Sequence, residues 1–504
     1  MDGQHAVSIR ERVKLPPSRI MIETHWKPKM SYALRHGFQN ELWVHVVHAK
    51  MLEKQGIISP AHLEAILGAL ANLAERGPDA LEIDYTIEDL YSYTERYLAR
   101  TLGPDVGGRL HTGRSRNDLG VTTGRMILRE LMLDVMAALS GLRRVVFDLA
   151  ERHIETVMPG YTHWQHAQPI TLGYYLLSYA DLLQRDWQRC MAALRSTNLS
   201  PLGAGALAGT SFPLDREYTA RELGFDGLVE VCYDAVSNRD DGHETAAALA
   251  VLMTGLSRVA VDLQTWSTLE YAFVELGDEH SSVSSIMPQK KNPASLEHLK
   301  AEAARVTGAI SAALAASKNT TFAEISDGVT GVDLPARDAA ETTGESLRLM
   351  TEVLEKLTVF PERMLHSARI GFGTATELAD VIVTEAGLSF RMAHNIVATV
   401  VSKAIEQGRR ADEITAADVS EASRELFGQP LQLSEVTLRG ALDPVQNVAR
   451  RTVAGGPAPD VVAAMIARRR PALQHDLDEL AALRARVDEK RATALGAARA
   501  KLAA

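Results

Sequence analysis

The chain has 504 residues, 46% of them hydrophobic but only 5% aromatic, a formal net charge of −10, and two cysteines, Cys190 and Cys232. An acidic chain offers no electrostatic footprint for nucleic acid, and two cysteines make no disulfide framework, so nucleic-acid-binding modules and disulfide-stapled secreted domains are excluded. Ala and Leu dominate and favour helices, and any anionic ligand must be attracted by local Arg and Lys against the overall field.

The residues Met1 to His5 lack the basic-then-apolar pattern of a secretory leader, and no apolar run reaches the roughly 18 residues of a membrane span. The expected location is the cytoplasm, with no membrane and no nucleic-acid partner. Residues 1–115 read as an N-terminal domain of short segments. His111-Thr112-Gly113-Arg114-Ser115-Arg116-Asn117-Asp118 then opens the first long helix, where hydroxyl, guanidinium and amide donors join backbone N–H groups in a cluster suited to a carboxylate. A plain N-cap with solvated arginines is the alternative.

No proline occurs from Val106 to Met158, Ile170 to Ser200, Leu214 to Met287, or Ala294 to Leu334. Inside these windows apolar residues recur at helical spacing, as in Met126, Leu128, Leu131, Met132, Val135, Met136 and Leu139. The stretch Val251 to Leu276 is apolar on more than one face, as in a helix enclosed by others. The windows predict four long helices in a central bundle domain, residues 116–365, of a kind that crosses a subunit interface. Gly160 to Pro169 links the first and second; a His there, such as His163, serves as proton donor or as a satisfied core imidazole. Cys190 reads as core.

Ser200 to Thr210 is a Gly-rich loop. Its Gly203-x-Gly205 approaches a dinucleotide fingerprint, but that motif needs a preceding strand, and here a helical stretch precedes it. His243-Glu244 lacks the later His of a zinc helix, and there is no Cys-x-x-Cys and no phosphate-binding loop. No metal or organic cofactor is expected.

Ser284-Ser285-Ile286-Met287-Pro288-Gln289-Lys290-Lys291-Asn292-Pro293 is the most specific run. A Ser beside cationic and amide groups can act as base toward a carbon acid, and the same groups can hold the anion that forms. Gly277 to His280, just before it, reads as a hinge. Residues 366–504 read as a C-terminal helical domain with a break at Gly455-Gly456-Pro457-Ala458-Pro459. The charged, Ala-rich helix from Asp476 onward is predicted to be exposed and frayed.

The Ser284 to Pro293 run resembles the signature of the fumarase/aspartase superfamily. His111 to Asp118, Gly160 to Pro169, Pro201 to Thr210, Gly371 to Asp380 and Arg450 to Gly456 resemble motifs of its argininosuccinate lyase branch. The resemblance spans roughly residues 40 to 470. It implies an all-α, three-domain subunit, a homotetramer with a 20-helix core, and sites each built by three subunits. The implied reaction is elimination of an amine from an N-substituted aspartate, releasing fumarate. Ser284 would take the Cβ proton, and Lys290 and Asn292 would stabilise the aci-carboxylate. Ser115, Arg116, Asn117 and Thr162 would hold the succinyl carboxylates, and His163 would pair with Glu297. Ser285, Met287, Gln289 and Tyr91 complete the implied substrate contacts.

Three segments depart from the branch pattern: Trp43 to Ala49, Glu88-Asp89-Leu90-Tyr91, and Glu324 to Asp333. In the family these positions recognise the arginine half of the substrate. The departures point to another N-substituted aspartate, as in the ethylenediamine-N,N′-disuccinate lyases of this branch, with Asp327 and Asp333 suiting an amine at the far end. The alternatives are argininosuccinate cleavage itself, a catalytically silent crystallin-like homologue, and a helical scaffold for a partner protein.

Overall fold

The computed structural model describes residues 15–500. The leader reading at Met1 to His5, the first fourteen residues of the N-terminal segment and the last four of the chain lie outside that range.

The N-terminal segment contains helices α1 (Phe38–Lys54), α2 (Pro60–Arg76) and α3 (Leu90–Leu102). Helix α1 is apolar around most of its circumference and is buried from Leu42 to Ala49 without interruption. Helix α2 starts on a reciprocal cap between Ser59 and His62, with Pro60 in its first turn. Asp89 caps α3 by accepting the Ser92 N–H at 2.9 Å.

Five helices build the centre: α4 (Arg116–Arg152), α5 (Leu172–Thr197), α6 (Asp240–Trp266), α7 (Ala294–Ser317) and α8 (Leu334–Glu355). Four lie in the proline-free windows. The fifth, α8, was not expected; Pro335 stands in its first turn, where a missing N–H costs nothing. Met136, Leu139, Leu176, Leu183, Leu252, Leu256, Leu299, Leu347 and Met350 interlock in one core. Helix α6 is long and apolar enough to cross a membrane by composition, but it is mostly buried and packs against α5, α7 and α8 as a core helix of the bundle.

The link between α4 and α5 is a β-hairpin, β1 (Val157–Thr162) and β2 (Gln165–Thr171). A second, shorter hairpin pairs β3 (Ser282–Val283) with β4 (Lys291–Asn292) just before α7. The Gly277 to His280 stretch is a short helical turn with His280 buried.

Helices α9 (Ala375–Ala386), α10 (Phe390–Glu406) and α11 (Ala416–Phe427) enclose a separate small core around Leu378, Ile382, Ile396, Val400 and Val419. The last helix, α12, runs from Pro459 to Ala500 and corrects the expectation of an exposed, frayed end. Ile466, Leu473, Leu480, Val487 and Ala494 recur every seventh residue and are all buried. They form a narrow seam against the bundle and then against the N-terminal core. Arg469 to Asp181 and Arg470 to Asp148 are ion pairs along its flank.

Candidate active site

Ser115 caps α4: its Oγ accepts the Asn117 N–H at 3.3 Å, and its own N–H donates to Asp118 Oδ1 at 2.9 Å. The other Asp118 oxygen accepts the Gly203 and Gly205 N–H groups at 2.9 and 3.0 Å. The Gly-rich loop is therefore a clamp on the helix start, and Asn117 Nδ2 donates to Ala206 O at 3.2 Å. Gly205 has φ of +61°, and a Cβ there would lie 2.9 Å from Gly209 O.

Arg116 is paired with Glu88 and with Asp89, the latter at 2.9 Å, so its charge is largely balanced within the chain. Tyr91 is buried and hydrogen-bonded to His111 Nδ1. Burial, with Arg114 and Arg116 nearby, lowers His111 to about 4, which keeps the imidazole neutral. Behind them the buried Arg114 reaches His45 Nδ1 at 3.0 Å.

Two cavities meet these residues. One, of 780 Å³, lies between His111 to Arg116 and the Gly205 to Thr210 loop. The other, of 390 Å³, lies between Arg116, Asn117, Tyr91 and the Glu324 to Asp333 segment. In the second, the buried Arg239 pairs with Glu324 and lies 3.5 Å from Asp333. Burial raises both carboxyls, and Arg239 pulls both back down.

Two parts of the departing-segment reading change. Val44 and His45 are fully buried in α1 and line neither of these cavities. Trp43 is buried too, with its ring 5.8 and 5.3 Å from the Arg129 and Arg491 guanidinium carbons. Asp327 is exposed and outside the 390 Å³ cavity, and Asp333 is already committed to Arg239. Arg239 and Arg337 line that cavity and were not singled out from the sequence. Arg239 stands just before α6 and Arg337 in the first turn of α8, and neither belongs to a motif.

Thr162 and His163 sit at the tip of the β1–β2 hairpin. The pairing of Thr162 with Gln165 leaves a two-residue turn, His163-Trp164, with φ of +53° and +62°. That geometry is favoured for Gly or Asn, and neither is present. Both side chains point to solvent, Trp164 being 67% exposed. The hairpin is wedged against the C-terminal segment, where a Cβ on Gly373 would meet Ala167 O at 2.2 Å. His163 and Glu297 make no hydrogen bond or ion pair among the described residues, so their implied pairing is not formed within one chain; Glu297 stands exposed in the first turn of α7.

Ser284 opens the loop between β3 and β4. Its Oγ accepts the N–H groups of Ile286 and Met287 at 3.3 and 3.0 Å. Two donors aimed at one hydroxyl oxygen favour its deprotonated form. Lys291 is tied down by Glu275, Asp278 and Leu276 O at 2.8, 2.8 and 2.7 Å. Lys290 has no such partner among the described residues and is exposed, as are Ser285, Met287 and Gln289. Asn292 Nδ2 reaches Ser282 Oγ at 3.4 Å.

These clusters do not meet in one subunit. Ser115 precedes α4, and the His163 hairpin follows its far end; 37 residues at about 1.5 Å each separate them by roughly 55 Å. The Ser284 loop precedes α7, whose far end is near His243 at the start of α6. It therefore lies at the hairpin end of the bundle, away from Asn117.

A family model described as Lyase matches residues 23–308, and one described as argininosuccinate lyase C-terminal matches residues 372–449. Argininosuccinate lyase 1 of Shouchella clausii is 38% identical over 94% of this chain and 95% of its own length. Argininosuccinate lyase of Methanothermobacter thermautotrophicus is 40% identical over 85% of this chain and 91% of its own. The crystal structure of EDDS lyase in complex with formate superposes with a TM-score of 0.87 at 35% identity, covering 97% of this chain and 96% of that one.

Proposed function

The chain belongs to the argininosuccinate lyase branch of the fumarase/aspartase superfamily and is a carbon–nitrogen lyase; on that premise we propose that it releases fumarate from ethylenediamine-N,N′-disuccinate, giving N-(2-aminoethyl)aspartate and then ethylenediamine. Ser284 removes the Cβ proton of the succinyl group. Its hydroxyl oxygen, held by the Ile286 and Met287 N–H groups, is the observation that supports this role. The former Cβ–H electron pair forms the Cα–Cβ double bond, the C–N bond breaks with its pair going to nitrogen, and the amine, bound in its protonated form, leaves neutral.

Lys290 and Asn292 bear the charge of the aci-carboxylate. Ser115, Asn117 and Thr162 orient the succinyl carboxylates, and Arg116 joins them in a position set by Glu88 and Asp89. Ser285, Met287 and Gln289 close over the substrate from the same loop, and Tyr91 lines its amine half. His163, with Glu297 of another subunit, steadies the departing amine. These groups assemble only if subunits pack so that the Asn117 end of one bundle faces the Ser284 end of another, which is the reason to propose a homotetramer.

For the substrate, the supporting observation is the likeness to EDDS lyase, with a TM-score of 0.87 at 35% identity over 97% of this chain. Cleavage of argininosuccinate is the second reading, because relatives of that name share 38% to 40% identity with this chain. Fumarate absorbance with the two compounds side by side tests the choice. The expected kcat/KM is at least about 100-fold higher for the disuccinate, since two lost hydrogen bonds to a charged guanidinium are worth that much. Efficient argininosuccinate cleavage without activity on the disuccinate would leave the second reading standing.

A further inference from the structure

The β1–β2 hairpin walls another cavity, of 580 Å³, where it meets the C-terminal segment. The walls are aromatic: Tyr161 from β1, Tyr271 from the segment after α6, and Phe372. The Tyr161 and Tyr271 rings lie 5.9 Å apart, and Tyr271 meets Phe273 edge-on at 5.5 Å, which holds the two tyrosines in place. Trp164 stands at the rim, on a turn whose φ of +62° would relax with Gly in its place. The C-terminal segment closes against the hairpin because Gly371 has no side chain; a Cβ there would lie 2.6 Å from His166 Nδ1.

Among the described residues no Lys or Arg lines this cavity, and its one carboxylate, Glu270, is exposed and makes no ion pair or hydrogen bond. Burial raises the Tyr161 phenol and lowers the His166 imidazole, so both stay neutral near pH 7. A ring face attracts a cation within about 6 Å of its centroid, and a carboxylate beside it adds to that attraction. Aromatic faces, an unpaired carboxylate and no resident cation together suit an organic cation whose apolar part lies against the rings. None of these groups has a role in the elimination, although His163, the neighbour of Trp164 in the turn, is assigned to the departing amine.

We propose that this aromatic cavity binds a small protonated amine of the kind the reaction releases. Its ammonium lies between Glu270 and the faces of Trp164, Tyr161 and Tyr271, in a site separate from the one that holds the succinyl group. The cavity keeps released amine beside the hairpin and gathers amine there for the reverse addition. The choice of amine rests on the elimination reading above; the site itself does not.

Trp164 reports on the site, because it is the exposed one of the five tryptophans; the others are 6% exposed or less. The assembled enzyme is titrated near neutral pH with ethylenediamine, which is cationic there, and with ethylene glycol, its neutral isostere, while tryptophan emission is followed. Ethylenediamine is expected to change the emission saturably, and ethylene glycol is not. Glu270→Gln, at an exposed side chain, should weaken amine binding about two- to fivefold. Tyr271→Leu should weaken it about 2- to 30-fold, the range of one cation–π contact. Trp164→Phe should remove the signal. No saturable response, an equal response to both compounds, or unchanged affinity in folded Glu270→Gln and Tyr271→Leu overturns the site. So does a Trp164 that acrylamide cannot quench in the assembled enzyme, since another subunit then fills the cavity. Release of fumarate without any amine response overturns the site alone. A saturable amine response, with no fumarate released from any N-substituted aspartate, overturns the elimination reading alone.

Discussion

The Met287 N–H points at Ser284 Oγ from 3.0 Å, inside the loop that Ser284 itself begins. The turn thus aims its own backbone dipole at the oxygen proposed as the base. Ser284→Ala removes that oxygen from an exposed loop that contributes nothing to the core. The expected result is a 10²- to 10⁴-fold fall in fumarate release with an unchanged circular dichroism spectrum and melting temperature. Retention of more than about a tenth of the activity would move the proton to another group.

Asn117 and Ser284 lie at opposite ends of the bundle, so the proposed site needs both ends from different subunits. Asn117→Ala and Ser284→Ala homo-oligomers should each be inactive. Mixed after reversible dissociation, they should recover part of the wild-type activity, because some sites then receive both intact residues. Light scattering that shows a monomer, or mixed oligomers of proven composition with no recovered activity, would remove the shared-site arrangement.

Glu41 is buried on α1, where it accepts Thr94 Oγ1 at 3.1 Å. Burial and the nearby Asp89 raise its carboxyl to about 8. The folded state therefore holds a proton that the unfolded chain releases near the ordinary carboxylate value of about 4.3. Stability from this group is fully present below that value, falls as pH rises toward 8, and is flat above it. Glu41→Gln keeps the shape and removes the titration. Its melting temperature should match wild type at pH 5 and exceed it at pH 8, by about 2–4 °C for each kcal/mol recovered. A constant difference between the two proteins across that range would show that Glu41 does not titrate there.

Much of the architecture could be read from the chain because helix breakers mark it. The proline-free windows located α4 to α7, and α8 escaped because Pro335 in its first turn ended a window where a helix begins. The last helix was misjudged because composition weighs every residue equally. Ile466, Leu473, Leu480 and Val487 bury one narrow seam, and Arg and Asp around them dominate the average. The hairpin at His163 gave no turn signal, since Thr-His-Trp-Gln lacks the Gly or Asn that its positive φ values favour. Motif residues were legible because their chemistry is local, as with Ser284 and the N–H groups two and three residues on. The company of Arg337 was not, because it depends on Tyr32, Gly124 and Asp333 meeting across the fold.

Arg143 and Asp476 join the last helix to the bundle through a buried ion pair of 2.7 Å, with Arg143 also reaching Gln184. Burial lowers the Arg143 guanidinium and Asp476 raises it again, so removing the carboxylate strands a charge in the interior. Asp476→Ala should therefore cost about 3–5 kcal/mol by denaturant unfolding, well beyond the loss of a surface pair. The double substitution Arg143→Met with Asp476→Leu removes both charges and fills much of the same volume. It should recover most of that loss, because a buried pair replaced by apolar side chains is close to neutral. Equal loss in the single and double variants would mean that the pair itself, and not the avoidance of a stranded charge, holds the helix in place.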